Sequence, residues 1–179
     1  MLMRQKTGLV VVDVQGKLAR LVDESETLIS NCGKLIQGAQ VLDLPIISLE
    51  QNSEKLGATV DELNDLLSDA KPIPKFTFNA CDEPKFVEAV QAKDVETWLV
   101  CGIEAHICVY QTAIGLLELG YKVQVVSDCI SSRTALNKNL AIRRLTDAGI
   151  QITGLEMSLY ELVKDCRAPE FKSILSLVR

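Results

Sequence analysis

Short apolar runs alternate along this chain with longer stretches in which apolar residues recur every three or four positions. The runs are Leu9–Val12, Ile46–Leu49, Ile73–Phe76, Trp98–Cys101, Val123–Val126 and Ile150–Ile152. Runs of this length without polar alternation fit strands covered on both faces, the pattern being weakest in the third and sixth. Between them, Leu28, Cys32, Leu35, Ile36, Ala39 and Leu42 form one stripe of a helix over Ser25–Leu42. Leu136, Leu140, Leu145 and Ala148 repeat the arrangement over Thr134–Ala148, with Gly149 as its C-terminal cap. His106–Leu119 reads as a helix ended by Gly120, and its apolar residues Ile107, Val109, Ala113, Ile114, Leu116 and Leu117 cover more than one narrow face. That breadth predicts burial against the sheet and also against another helix or subunit. The final segment, Glu156–Arg179, predicts short terminal helices with Phe171, Ile174, Leu175 and Val178 on one face.

Alternation of short buried strands with helices predicts a mostly parallel, three-layer α/β domain with right-handed crossovers. No repeat or low-complexity tract divides the 179 residues, so one domain spans 1–179 and ends in the helical segment 156–179. Size scaling gives such a chain about 8,600 Å² of folded surface. Apolar residues at 47% against charged residues at 24% exclude global disorder. No apolar run approaches the ~18 residues needed to cross a membrane, and MLMRQKTGLVVVDVQG lacks the build of a secretory signal. A cytoplasmic protein without membrane partners is expected. The net charge of -5 argues against nonspecific phosphate-backbone binding, so nucleic acid is not an expected partner.

The six cysteines, at positions 32, 81, 101, 108, 129 and 166, include no CxxC pair and read as free thiols. A single histidine, His106, excludes sites that need two or three imidazoles, and no metal is expected. Asp13 follows LVVV directly, at the carboxyl edge of the first strand where open α/β sheets form ligand crevices. It is placed either to accept a thiol proton or simply to form the turn. Cys108 follows a buried strand and Gly102, in the expected first helical turn, where free N–H groups and the helix dipole favour a thiolate. Plain apolar packing is its other reading. Cys32 and Cys101 read as core residues. Lys75 ends the third strand, where its ammonium can pair with Asp13; Phe76 and Phe78 either wall a pocket beside it or pack beneath the sheet.

The segments LVVVDVQ, PKFTFNA and VCGIEAHICV, taken in that order, resemble the isochorismatase-like cysteine hydrolase superfamily over about Thr7–Gly154. Gly102–Val109 is similar to the GIEAHxCV sequence of its isochorismatase-domain-containing branch. The resemblance implies a Rossmann-like, six-stranded parallel sheet in the order 3-2-1-4-5-6. It also implies an Asp13–Lys75–Cys108 catalytic triad and a cis peptide between Ile103 and Glu104. The backbone N–H groups of Glu104 and Cys108 then form an oxyanion hole, and the protein works without a cofactor as a homo-oligomer. Strand three is remote from strand one in this order, so Lys75 must turn inward. The implied activity is thiol-dependent hydrolysis of a small amide or related carbon–nitrogen substrate, with Gln15, Gln51, Phe76, Phe78 and Asn79 as pocket candidates.

Some residues depart from other members. Metal-ligand positions of the nicotinamidase-like branch map to Glu50 and Asn52, which disfavours zinc-dependent nicotinamidase activity; Glu50 is left to bond a loop or to touch substrate. Glu104 and His106 stand where threonine and aspartate are common, so substrate identity does not transfer. Isochorismate hydrolysis is a poor default, because it cleaves a vinyl ether rather than acylating a cysteine. The competing reading is a catalytically weak or inactive member serving as an oligomeric interaction scaffold.

Overall fold

Each strand residue chooses a face by the pleat of the sheet, and here both faces are apolar. A computed structural model describes residues 1–179. In β1 (Thr7–Val12), Leu9 and Val11 enter one core layer while Val10 and Val12 enter the other. The remaining strands are β2 (Ile46–Gln51), β3 (Ile73–Lys75), β4 (Thr97–Ile103), β5 (Lys122–Ser131) and β6 (Gln151–Thr153). All pair in parallel in one sheet of order β3-β2-β1-β4-β5-β6, the order implied above. The accessible surface of 8,935 Å² lies close to the size-scaling expectation.

The apolar stripe of a long helix over Ser25–Val41 covers the first layer. After a short helix α1 (Leu18–Leu21) it is α2, and its Leu28, Cys32, Leu35, Ile36 and Ala39 are buried. Short helices α3 (Ser53–Leu56) and α4 (Asp61–Asn64) follow β2. The second layer is covered by α5 (Pro84–Gln91), α6 (Tyr110–Glu118) and α7 (Ala135–Asp147). The chain ends with α8 (Leu155–Val163) and α9 (Phe171–Val178), which pack with α2. The terminal helices thus cover their own domain. Ile174 is fully buried there and Phe171, Leu177 and Val178 pack beside it; Leu175 stays outside this contact, because the face of α9 turned to α2 runs through Leu177 instead.

Two local differences from the sequence expectation bear on the site. First, β5 extends well past Val126 to Ser131, and its pairing with β4 slips from Val100↔Val125 to Gly102↔Ile130. The polar interruption at Ser127 and Asp128 hides this continuation from a purely apolar pattern. Second, the segment expected to open as an α-helix at His106 is a π-helical turn over Ala105–Val109, and α6 begins only at Tyr110. The Val109 N–H reaches back across five residues to the Glu104 carbonyl at 3.3 Å. Such turns recur at functional sites.

Candidate active site

The end of β1 places a carboxylate between its two neighbouring strands. Asp13 takes a left-handed φ of 51°, and its N–H donates to the Leu49 carbonyl of β2 at 3.2 Å. On the other side β4 passes close enough that a Cβ on Gly102 would lie 2.0 Å from the Val12 carbonyl oxygen. Only glycine fits there, at φ 118°. The following Ile103–Glu104 peptide is cis, as the resemblance implied. The π-helical turn then carries Cys108 to the same edge, 7% exposed.

Lys75 completes the group from the far side. It ends β3 with no exposed surface, and its Nζ lies 2.7 Å from Asp13 Oδ2, an ion pair in which both side chains are buried. The ammonium also donates to Gln51 Oε1 at 2.6 Å and to the Thr77 carbonyl at 3.2 Å. These partners satisfy its donors, which a buried ammonium requires. Gln51 Oε1 in turn is 4.0 Å from Cys108 Sγ, so one amide oxygen touches both the ammonium and the thiol.

Burial pushes the Cys108 thiol up to about 12, with the Asp13 charge adding to the rise and Lys75 opposing it. This corrects the thiolate expected from a helix N-terminus. The cysteine sits inside a π-helical turn rather than in the first turn of an α-helix, and loss of water outweighs the dipole. Burial raises the Asp13 carboxyl as well, against the lowering pull of Lys75 and the nearby Cys108 thiol; Glu50 adds a smaller rise. A protonated sulfur therefore stands beside a carboxylate whose proton affinity is enhanced.

Asp13 and Cys108 open onto a cavity of about 120 Å³. Leu18, Leu56, Phe78, Ile103 and Ile107 make its apolar wall, and Gln51 and Glu104 complete it. A wider groove of about 670 Å³ runs between α2, α4 and α9 and contains none of the expected site residues. The Glu104 N–H, one of the two expected oxyanion donors, donates to no acceptor within the protein.

Of the pocket candidates, Gln51 and Phe78 line the cavity while Gln15, Phe76 and Asn79 do not. Gln15 is fully buried and acts as a brace: its amide donates to the Gln51 and Gly57 carbonyls and accepts the Gln51 N–H at 2.7 Å. Phe76 is 74% exposed because its neighbour Lys75 takes the inward position. Asn79 accepts the Cys81 N–H at 3.0 Å and caps a turn. Glu50 bonds a loop, the first of its two readings: Oε1 accepts the Thr59 N–H and hydroxyl at 2.7 and 2.8 Å, and Oε2 accepts Ser53 Oγ at 2.8 Å. That loop carries the cavity residue Leu56. Sequence reasoning missed Leu18, Leu56 and Arg133, which pairs with Glu104; no local signal marks any of them, since each gains its position from a distant segment.

A model of the isochorismatase domain matches residues 7–157. The secreted isochorismatase effector Isc1 of Phytophthora sojae (strain P6497) is 36% identical, covering 96% of this chain and 83% of its own. Isochorismatase domain-containing protein 2 of Danio rerio is 34% identical over 95% of this chain and 85% of its own. Among solved structures, the MAR1 ribonuclease of Caenorhabditis elegans superposes with a TM-score of 0.91 at 33% identity, covering 99% of this chain and 91% of that one. The Escherichia coli ycaC gene product, an octameric hydrolase of unknown specificity, superposes with a TM-score of 0.93 at 27% identity over 98% and 89%.

Proposed function

From membership of the isochorismatase family, to which this chain belongs over residues 7–157, we propose that the protein is a cysteine hydrolase of small amides or related carbon–nitrogen compounds. The observation that carries this reading is that Cys108 and Asp13 share one small, largely apolar cavity while the buried Lys75 pairs with Asp13 behind it. A carbonyl carbon seated there receives the sulfur as Asp13 takes the thiol proton. The new S–C bond leaves an oxyanion, to which the Glu104 and Cys108 backbone N–H groups donate. Collapse breaks the C–N bond, and the amine departs with the proton held by Asp13. Water then attacks the thioester and gives its proton to Asp13; a carboxylic acid leaves and the thiol is restored.

Lys75 holds the Asp13 charge in place and favours the developing thiolate. Because the thiol rests protonated, proton transfer accompanies attack rather than preceding it. Intact-mass measurement during turnover of a panel of short amides tests the scheme. A transient acyl adduct on Cys108 that is lost in Cys108→Ala together with turnover is expected. Equal activity of wild type and Cys108→Ala would end this reading. Failure of every amide, with a partner captured by both wild type and Cys108→Ala, would favour the scaffold.

The ribonuclease name of a structural relative supplies a rival substrate. The net charge of -5 and a cavity of about 120 Å³ with largely apolar walls favour a small molecule over RNA. Cleavage of a labelled RNA by the wild type, abolished in Cys108→Ala, would reverse that preference. Homo-oligomerisation is part of the proposal, supported by the octameric relative and by the half-buried Ile107, Ile114 and Leu117. Sedimentation is expected to give a species larger than a monomer. The six free cysteines fit a reducing compartment, and a cytoplasmic location is proposed with them.

A further inference from the structure

A water molecule that attacks a thioester brings two hydrogens with it, and between apolar walls each needs an acceptor. Asp13 can take only the one that is transferred. Leu18, Leu56, Phe78, Ile103 and Ile107, which wall most of the cavity, offer none. Glu104 turns both carboxylate oxygens to Arg133, whose Nε lies 3.2 Å from Oε1 and whose backbone N–H donates to Oε2 at 3.0 Å. What remains of the polar lining is the Gln51 carboxamide, on a residue that is itself buried.

Its neighbours dictate how that carboxamide is turned. Nε2 donates to the Phe76 carbonyl at 2.8 Å, and Oε1 accepts from the Lys75 ammonium at 2.6 Å; the reverse orientation would set an NH₂ group against a cation. The backbone is fixed as well, because Gln15 Oε1 accepts the Gln51 N–H at 2.7 Å and Gln15 Nε2 donates to the Gln51 carbonyl at 3.2 Å. An amide oxygen has two lone pairs. Lys75 engages one, which leaves the second for the sulfur side, where Cys108 Sγ lies 4.0 Å from the oxygen. The same ammonium stands 2.7 Å from Asp13 Oδ2, so it holds both acceptors beside one sulfur, while Asp13 Oδ1 meets no donor in the protein. Acylation removes the thiol hydrogen. From then on the second lone pair of Gln51 has no partner among the reacting groups.

We infer that Gln51 is a catalytic residue of the deacylation step: its Oε1 accepts a hydrogen bond from the hydrogen that the attacking water keeps, while Asp13 Oδ1 takes the one it gives up. This rests on the hydrolase reading. The oxygen of water bonds the acyl carbon and the C–S bond breaks. The proton taken by Asp13 passes to the departing sulfur, and the hydrogen held by Gln51 stays on the carboxylic acid product.

Methanol tests the assignment, because it attacks through the same kind of oxygen but keeps a methyl group where water keeps a hydrogen. The protein is supplied with the small thioester S-methyl thioacetate in aqueous methanol, so that acetyl-Cys108 forms by thiol exchange whether or not an amide substrate is in hand. Acetic acid and methyl acetate are then quantified, with the yields from Cys108→Ala subtracted, and intact mass follows the adduct. Gln51→Met and Gln51→Leu, two replacements of different shape without an acceptor, should each lower the ratio of acid to ester at least about tenfold, the worth of one hydrogen bond. Gln51→Glu keeps an acceptor oxygen and should hold the ratio within about threefold of wild type. General damage to the site slows both products and leaves their ratio alone. An unchanged ratio in the apolar variants, or an equal fall in Gln51→Glu, would overturn the assignment and leave Gln51 as a support for Lys75. If acetyl-Cys108 forms and clears while no amide turns over, the amide reading fails and the ratio still decides for or against Gln51. Absence of any acetyl-Cys108 in the wild type would overturn both.

Discussion

The Lys75 ammonium lies 2.7 Å from the Asp13 carboxylate even though β2 separates the strands that carry them. The pair spans this gap because the lysine stem passes over the end of β2, where Gln51 bonds the ammonium on its way. Both charges are buried, so each depends on the other for its place in the interior.

Removing one member of that pair is expected to cost more than removing both. Lys75→Met should lower the unfolding free energy by about 3–5 kcal/mol, the range for stranding a buried charge. Asp13→Asn combined with Lys75→Met should recover a large part of this loss. Urea denaturation of the single and double variants measures the difference, and additive losses would contradict a coupled pair.

Under the proposed mechanism, Asp13 should have opposite effects on sulfur ionisation and on hydrolysis. Its charge raises the thiol, which stands at about 12, so Asp13→Asn should make Cys108 ionise more readily. At pH 8 that variant should be alkylated by iodoacetamide faster than the wild type, while its turnover falls by about 10²-fold or more for want of a proton acceptor. In the wild type the alkylation rate should keep climbing with pH past the range of an ordinary thiol. Stopped-time mass mapping of Cys108 follows both effects.

The acid side of the activity profile should report Asp13. Burial raises this carboxyl above the usual aspartate value, and the proposed mechanism uses its charged form. As pH falls the group therefore gains its proton early, and kcat/KM should begin to decline above the pH at which an exposed aspartate would titrate. A full pH–rate profile on any amide that turns over checks the direction. An acid limb at or below the ordinary aspartate range would contradict it.

Gly102→Ala should damage the fold itself. A methyl at this position would meet the Val12 carbonyl oxygen at 2.0 Å, on the strand that delivers Asp13, and would have to adopt a φ of 118°. Separating β4 from β1 at this point should cost at least about 1–3 kcal/mol and more if the strands cannot part. Thermal unfolding and solubility measure the loss; unchanged stability would refute such close packing of the two strands.

Strand positions were legible in the sequence because a strand buried on both faces needs no partner information to declare itself: Leu9–Val12 and Trp98–Cys101 are apolar at every position. Asp13 stood out for the same reason, as a carboxylate ending such a run, and Cys108 because it follows a strand and a glycine. The full order of the sheet came from family resemblance, since the apolar pattern alone does not rank strands. What the tertiary structure alone decided are the relations between distant segments. Gln15 and Gln51 look like polar residues near a site, yet Gln15 braces the backbone across 36 positions while Gln51 reaches Lys75. Glu104 and Arg133 meet across 29 positions, with nothing local to announce the pair. The rise of the Cys108 thiol likewise comes from tertiary packing. Helix position argued for a thiolate, but the sulfur's ionisation depends on how much water the packed chain leaves around it, a quantity that exists only once the layers have closed.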